Sequence, residues 1–162
     1  MWILKWLLIA PVLLVVAVAL AGQLGLLRGR QPGDLGLHDG RLKPPSMNPN
    51  SVSSQARLYP EHPMRDYARI EPLPALDSGP HALERIRRIV ETMEGAKVVQ
   101  ANSGYLYVQF TSRMLKFVDD TEFWFDPQGG VIQVRSASRL GRKDFGVNRA
   151  RIEAIRARLA TP

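Results

Sequence analysis

Three carboxylates stand within four consecutive positions of the chain, at Asp119, Asp120 and Glu122. Hard cations such as Mg²⁺ and Ca²⁺ prefer oxygen ligands, so these residues support one enzymatic hypothesis, a metal-assisted hydrolase. In a strand, however, Asp120 and Glu122 share one face while Asp119 points to the other. The alternative is a solvated loop in which the acids are neutralised by the nearby cations Arg113, Lys116 and Arg135.

A group of arginines and small polar residues could bind an anion, because guanidinium groups bind carboxylates and phosphates through paired hydrogen bonds. The N–H groups that begin the last predicted helix could contribute to the same site. We predict a ligand site formed by Arg113, Arg135, Ser136, Ser138, Arg139, Asp144, Asn148 and Arg149.

The same residues also have a purely structural interpretation. Arg135 would pair with Glu122 across a hairpin. Arg139 or Arg149 would bind Asp144, and Asp144 would cap the last helix. Both interpretations stay open on the sequence.

No catalytic residue and no cofactor is predicted. A serine nucleophile needs a general base, and none of the three histidines stands in a recognisable motif. The serines in question are Ser53, Ser54, Ser136 and Ser138, and the histidines are His38, His62 and His81. The sequence contains no cysteine, which excludes zinc–thiolate sites and iron–sulfur clusters.

The chain of 162 residues carries a formal charge of +7, concentrated at its carboxyl end. Residues 134–162 contain eight Lys or Arg against two Asp or Glu. A basic end can bind nucleic acid, anionic lipid or an acidic protein. Because no DNA- or RNA-reading motif accompanies it, we predict no nucleic-acid partner.

The amino-terminal residues form an apolar segment that predicts a membrane span. The run is unbroken from Leu7 to Ala21 and continues to Leu27, close to the roughly 20 residues that cross a bilayer. We therefore predict membrane association through residues 2–27. A cleaved signal peptide is the alternative, because Ala19 and Ala21 are spaced like the small residues of a cleavage site.

Two signals disagree about the side of the membrane on which the domain lies. One cation precedes the apolar segment and four follow it closely, so the positive-inside rule alone would keep the domain in the cytoplasm. These cations are Lys5 before the segment and Arg28, Arg30, Arg41 and Lys43 after it. The signal-like form of the segment favours export. We predict a single-pass protein of the inner (cytoplasmic) membrane with its domain on the periplasmic side.

Composition divides the chain into three parts: residues 1–28, the anchor or signal segment; 29–57, a flexible linker; and 58–162, one domain. The linker is rich in glycine and proline and has little apolar periodicity, which is typical of a segment that does not fold alone. The remaining hundred or so residues suffice for one compact core.

Hydrophobic spacing within the domain predicts five strands and two helices. An edge strand is predicted at Asp66–Pro72, followed by a helix that begins at Ser78-Gly79-Pro80. Four strands and a helix are then predicted at Ala96–Asn102, Tyr105–Ser112, Thr121–Asp126, Val131–Ser138 and Val147–Leu159.

The register of the last hairpin follows from its side chains. If Asp126 faces Val131, Phe125 and Phe123 face Ile132 and Val134, and all four share one side. Trp124 and Glu122 then face Gln133 and Arg135 on the other side.

The order β-α-β-β-β-β-α predicts an α+β domain in which both helices cover one face of a single antiparallel sheet. The other face is predicted to be open. It would present Tyr105, Tyr107 and Trp124, and exposed aromatic residues with polar neighbours are frequent in protein-binding surfaces.

Two motifs, Val134-Arg135-Ser136-Ala137-Ser138-Arg139 and Asp144-Phe145-Gly146-Val147-Asn148-Arg149, resemble the family called domain of unknown function fourteen ninety-nine. Further matching segments, Phe117–Phe123 and Asn50–Gln55, extend the resemblance over most of Asn48–Leu159.

The resemblance implies a bacterial protein with an export or membrane segment, and it implies no particular activity. Many members have two cysteines near the start of the matching region; here Ser51 occupies the second position and the first is also lost, so a disulfide or thiol role does not apply. Together these features predict a membrane-anchored, non-enzymatic accessory protein whose domain binds a protein partner or a small anionic ligand.

Overall fold

A computed structural model describes residues 2–76 and 78–161. The side chains of residues 2–5, with Lys5 among them, lie outside the described part, as do residues 1, 77 and 162.

The first element is the helix α1, which spans Trp2–Gln23. Its segment Trp6–Gln23 is long and apolar enough to cross a membrane, with a mean hydropathy of 2.3. Most of its large apolar side chains are exposed rather than packed on the domain. This arrangement is typical of a membrane helix and differs from that of a core helix.

The domain is an α+β unit with one antiparallel sheet, as predicted. The elements of the domain are β1 Ser51–Ser53, α2 Arg65–Ala68, β2 Leu73–Pro74, α3 Gly79–Glu91, β3 Ala96–Ala101, β4 Tyr105–Thr111, β5 Val118–Asp126, β6 Val131–Ser138 and α4 Val147–Leu159. The strands lie in the order β1-β6-β5-β4-β3. The short strand β2 pairs with the first residues of β6, and β1 pairs with its later residues.

The predicted register of the β5–β6 hairpin is confirmed at every pair. Phe123 lies opposite Val134 and Glu122 lies opposite Arg135. Phe123, Ile132 and Val134 are fully buried beneath the helices. The alternation of apolar and polar side chains therefore determines which side chains of β5 and β6 lie on the face of the sheet opposite the helices.

The predicted edge strand Asp66–Pro72 is wrong. The chain forms the short helix α2 there, and only Leu73 and Pro74 pair with β6. Pro72 and Pro74 lack N–H donors, so this edge supports only a brief ladder. Most of the β6 edge is instead covered by β1, which comes from the segment assigned to the linker.

The hydrophobic core lies between the sheet and helices α3 and α4. Leu83, Ile86 and Val90 of α3 meet Ile152 and Ile155 of α4 over the sheet. The α3 helix begins as predicted, with Ser78 as its N-cap and Pro80 in its first turn.

Two glycines give a matched test of this packing. A Cβ on Gly79 would overlap the ring of Phe125, whereas a Cβ on Gly33 would meet nothing within 4 Å. Gly79→Ala should therefore lower the free energy of unfolding by about 1–3 kcal/mol, although alanine is the better helix former. Gly33→Ala should leave it unchanged. Urea unfolding checks both variants, and equal stabilities would contradict the close approach of α3 to β5.

Candidate functional site

The face of the sheet opposite the helices is covered by residues 29–45, which we call the strap. The strap runs along this face, reverses at the backbone-paired residues His38 and Arg41, and returns towards β1. Its Leu42 is buried against Tyr105 and Tyr107, which are only 7% and 3% exposed. The prediction that this face is open is therefore wrong, because apolar strap residues shield its aromatic side chains.

A buried ion pair lies under the strap. Glu122 is fully buried, and its Oε1 accepts hydrogen bonds from the Gly36 N–H at 2.6 Å and the Tyr105 hydroxyl at 2.7 Å. Arg135 approaches Oε2 of Glu122 at 3.7 Å, and its Nε donates to the Pro44 carbonyl at 3.1 Å. The strap thus supplies one backbone donor and one backbone acceptor to two charged groups that it removes from water.

Gln55 holds the returning half of the strap in place. Its Oε1 accepts from the Leu42 N–H at 2.8 Å, and its Nε2 donates to the Gly40 carbonyl at 3.3 Å. The Tyr59 hydroxyl donates to the Leu42 carbonyl at 3.1 Å. These bonds satisfy backbone groups that the packing of Leu42 would otherwise bury without partners.

A second acid–arginine pair lies on the same face. Arg139 Nε and Nη2 donate to the two carboxylate oxygens of Asp120 at 2.8 and 2.7 Å. Tyr107 also donates its hydroxyl to Asp120. Burial, together with this bond, raises the pKa of Tyr107 to about 12. Burial likewise lowers the pKa of Arg135, although Glu122 opposes that shift.

The third acid, Asp119, lies on the helix-covered face, as its position in the strand predicts. Arg151 of α4 donates to Asp119 at 2.6 Å and stacks 4.4 Å from the ring centroid of Phe110. Asp119, Asp120 and Glu122 therefore lie on two faces, each paired with an arginine. Within residues 2–76 and 78–161, no group of three or more His, Asp or Glu side chains could hold a metal ion.

The small polar residues of the two motifs form a hydrogen-bonded network at the start of α4. Asn148 is fully buried; its Oδ1 accepts from Ser136 and its Nδ2 donates to Ser138 and Asp144. Asp144 also accepts from the N–H of Asn148 in the first turn of α4, as a capping acid would, although the N-cap position itself is occupied by Gly146. Although burial alone would raise it, the pKa of Asp144 is lowered by hydrogen bonds from Tyr67 and from Gly146 and Asn148.

The predicted ligand residues are thus divided among four places. Arg135 and Arg139 lie under the strap, and the serines, Asp144 and Asn148 form the network at α4. Arg149 donates to the carbonyls of Tyr67 and Arg69, so neither it nor Arg139 binds Asp144. Arg113 is exposed in the β4–β5 loop, beside the end of α1.

A cleft of about 600 Å³ opens at the end of the sheet farthest from α1, between the strap's turn and the β5–β6 hairpin. Half-buried Trp124 lines it, together with the exposed side chains of Arg41, Arg57 and Asp39. Asp126 also lines the cleft, and its carboxylate already accepts a hydrogen bond from Gln133. In the part of the chain that the structure describes, the indole N–H of Trp124 donates to no acceptor. We call this feature the Trp124 cleft.

Comparison with known families adds one finding. A family model described as protein of unknown function (DUF1499) matches residues 41–159, from the return of the strap to the last residue of α4. The chain belongs to the DUF1499 family. The match contains both motifs and leaves α1 outside, so the DUF1499 region of this chain is the domain and not its anchor. No curated protein and no solved structure matches the chain.

Sequence reasoning missed two residues that organise this DUF1499 domain. Arg151 follows Asn148 by three positions, a spacing that places both on one side of a helix, so its inward position could have been found. Gln55 closes the Asn50–Gln55 segment, but no periodicity indicates that its side chain holds the strap.

The buried pair gives the sharpest prediction for this region. Arg135→Ala leaves Glu122 buried without its counter-charge and should lower the free energy of unfolding by about 3–5 kcal/mol. Adding Glu122→Leu should recover most of that loss, because the uncompensated charge is then gone.

Lys97→Ala is the control, since Lys97 is exposed and makes no side-chain bond among the described residues. Urea unfolding of the full chain in detergent measures the free energy of unfolding of the two Arg135→Ala variants and of Lys97→Ala. The pair would have no structural role if Arg135→Ala were as stable as Lys97→Ala.

Proposed function

We propose that this DUF1499 protein is a membrane-anchored, non-enzymatic accessory protein whose domain binds a segment of a protein partner in the Trp124 cleft. The observation that carries the proposal is a half-buried tryptophan in a cleft that is also lined by two exposed arginines. Its indole N–H donates to no acceptor among residues 2–76 and 78–161. Tryptophan and arginine are the residue types most often responsible for binding energy in protein interfaces.

The chemistry of the cleft indicates what the partner segment carries. An apolar side chain would pack on the indole ring, and a neighbouring carbonyl would accept the indole N–H. A carboxylate would bind Arg41, whose side chain has no ion pair among residues 2–76 and 78–161. Arg57 is the second candidate, because its ion pair with exposed Glu71 is long, at 3.8 Å. The expected ligand is an acidic residue beside an apolar one.

Two other hypotheses from the sequence, an anion site and a metal-assisted hydrolase, would each require existing ion pairs to be broken. An anion at Arg135 and Arg139 would have to displace Glu122 or Asp120, and it would have to enter under the strap. A metal-assisted hydrolase would have to gather three acids that lie on two faces and already bind arginines. The Trp124 cleft needs no such rearrangement.

Site-specific photo-crosslinking tests the proposal. A benzoyl-phenylalanine in place of Trp124 should give a discrete protein adduct in cells that express the full chain. The same probe at exposed Val99, on the opposite edge strand, should not. Arg41→Glu with Arg57→Glu should weaken the adduct, whereas Arg88→Glu with Lys97→Glu should not.

Identical adduct patterns at positions 124 and 99 would contradict partner binding. If no adduct forms but phosphate or a dicarboxylate raises the melting temperature, and Arg41→Ala removes that rise, the ligand is a small anion instead.

We further propose that α1 stays uncleaved in the cytoplasmic membrane and that the domain lies on its periplasmic side. The apolar run extends past Ala21, and the signal-like form of the segment supports export.

Because the chain has no cysteine, Gln128→Cys in the exposed β5–β6 turn introduces the only thiol. A membrane-impermeant maleimide should label this variant in cells whose outer membrane alone has been permeabilised. Labelling only after lysis would place the domain in the cytoplasm, and a shortened chain would indicate cleavage.

A further inference from the structure

The β4–β5 loop, Ser112–Phe117, lies against the last turn of α1. Gln23 Nε2 donates to the carbonyl of Met114 at 2.8 Å. A Cβ on Gly22 would lie 2.7 Å from the carbonyl oxygen of Leu115, so the loop backbone approaches the helix as closely as a glycine permits. The loop is therefore held where the apolar helix ends.

The same loop also borders α1 farther back along the apolar segment. A groove of about 710 Å³ is lined by Leu14 and Val18 of α1 and by Met114 and Phe117 of the loop, almost wholly through apolar atoms. Val18 precedes Gln23 by more than one helical turn, so the loop extends alongside the membrane-spanning part. Met114 is nonetheless 72% exposed, and Phe117 is exposed as well. Their apolar surface therefore lies beside the end of the apolar helix and outside the core of the domain.

Unpaired cations surround these apolar side chains. A Cβ on Gly29, just after α1, would lie 2.9 Å from Cγ of Leu140, so the β6–α4 loop also lies near the anchor. Six cations stand in or beside the two loops: Arg28, Arg30, Arg113, Lys116, Arg142 and Lys143. None of them makes an ion pair among residues 2–76 and 78–161. Asp119 and Asp120, which follow the first loop, are already bound to Arg151 and Arg139, and Asp144, which follows the second, accepts hydrogen bonds from Tyr67 and Asn148.

We propose that the loops 112–117 and 140–143 form a second membrane contact, which binds the anionic headgroups of the leaflet in which α1 ends. The cations attract lipid phosphates while Met114 and Phe117 enter the interface, as apolar and basic residues do in peripheral membrane segments. Each cation near an anionic surface strengthens such a contact by about fivefold. The contact would hold the Trp124 cleft, at the other end of the sheet, away from the bilayer.

This inference rests on the proposed membrane anchoring by α1, and one reconstitution separates the two. The full chain carrying Met114→Cys, its only thiol, is labelled with an environment-sensitive fluorophore and placed in vesicles. The vesicles are phosphatidylcholine alone or phosphatidylcholine with phosphatidylglycerol, and both contain a nitroxide lipid as quencher. A Gln128→Cys label at the far end of the sheet is the positional control.

We expect quenching at position 114 to be several-fold stronger than at 128 in vesicles with phosphatidylglycerol, and to weaken as salt rises. Arg113→Glu with Lys116→Glu should remove most of the difference in quenching between positions 114 and 128. Arg88→Glu with Lys97→Glu, which changes the net charge equally, should preserve it. Melting temperatures confirm that both charge-reversed chains fold.

Two results would overturn the inference, because anchoring by α1 alone would then explain why position 114 lies near the lipid. One is equal quenching at position 114 in neutral and anionic vesicles. The other is unchanged quenching at position 114 in the Arg113→Glu, Lys116→Glu chain. Quenching no stronger than at 128 would overturn the inference as well. A chain that does not float with vesicles after an alkaline wash would instead refute the anchoring on which it rests.

Discussion

A carboxylate and a guanidinium that are removed from water destabilise a fold unless they stay paired and their remaining polar atoms find hydrogen bonds. Glu122 and Arg135 form such a pair on the face of the sheet opposite the helices, because their positions in β5 and β6 point both side chains away from the helices. The strap meets part of this condition with the Gly36 N–H and the Pro44 carbonyl. Oε2 of Glu122 has Arg135 as its counter-charge at 3.7 Å but no hydrogen-bond donor among the described residues. The path of the strap over the face follows from these two charges as much as from the apolar contact of Leu42 with the two tyrosines.

The same logic explains why so many charged motif residues lie inside the DUF1499 domain. Each of Asp119, Asp120 and Glu122 has its own arginine, and Asn148 joins β6 to the start of α4. Side chains engaged in this way position the backbone of the domain. Accessible surfaces include the Trp124 cleft at one end of the sheet and the loops beside α1 at the other.

Period-two alternation predicted the β5–β6 register and the opposite directions of Asp119 and Asp120, because the large apolar side chains of the two strands must share one face. Helical spacing predicted α3 and α4 for the same reason. The strap could not be predicted in this way, since glycine and proline suggest a segment without its own structure. What orders it are single backbone groups, such as the Gly36 N–H, whose partners are distant in sequence. Strands of two or three residues, such as β2 and β1, are too short for periodicity to reveal.

The most direct measurement is amide hydrogen exchange in the strap of the full chain, because exchange reports whether a given N–H is bonded and how often the bond opens. If the strap closes over the buried pair, the Gly36 and Leu42 amides, which donate to Glu122 and Gln55, should exchange almost as slowly as the amides of β5. The Gly33 amide, which makes no hydrogen bond among the described residues, should exchange quickly. If Gly36 and Leu42 exchanged as fast as Gly33, the strap would be mobile and the sheet face beneath it open, contrary to the role assigned to Glu122 and Arg135.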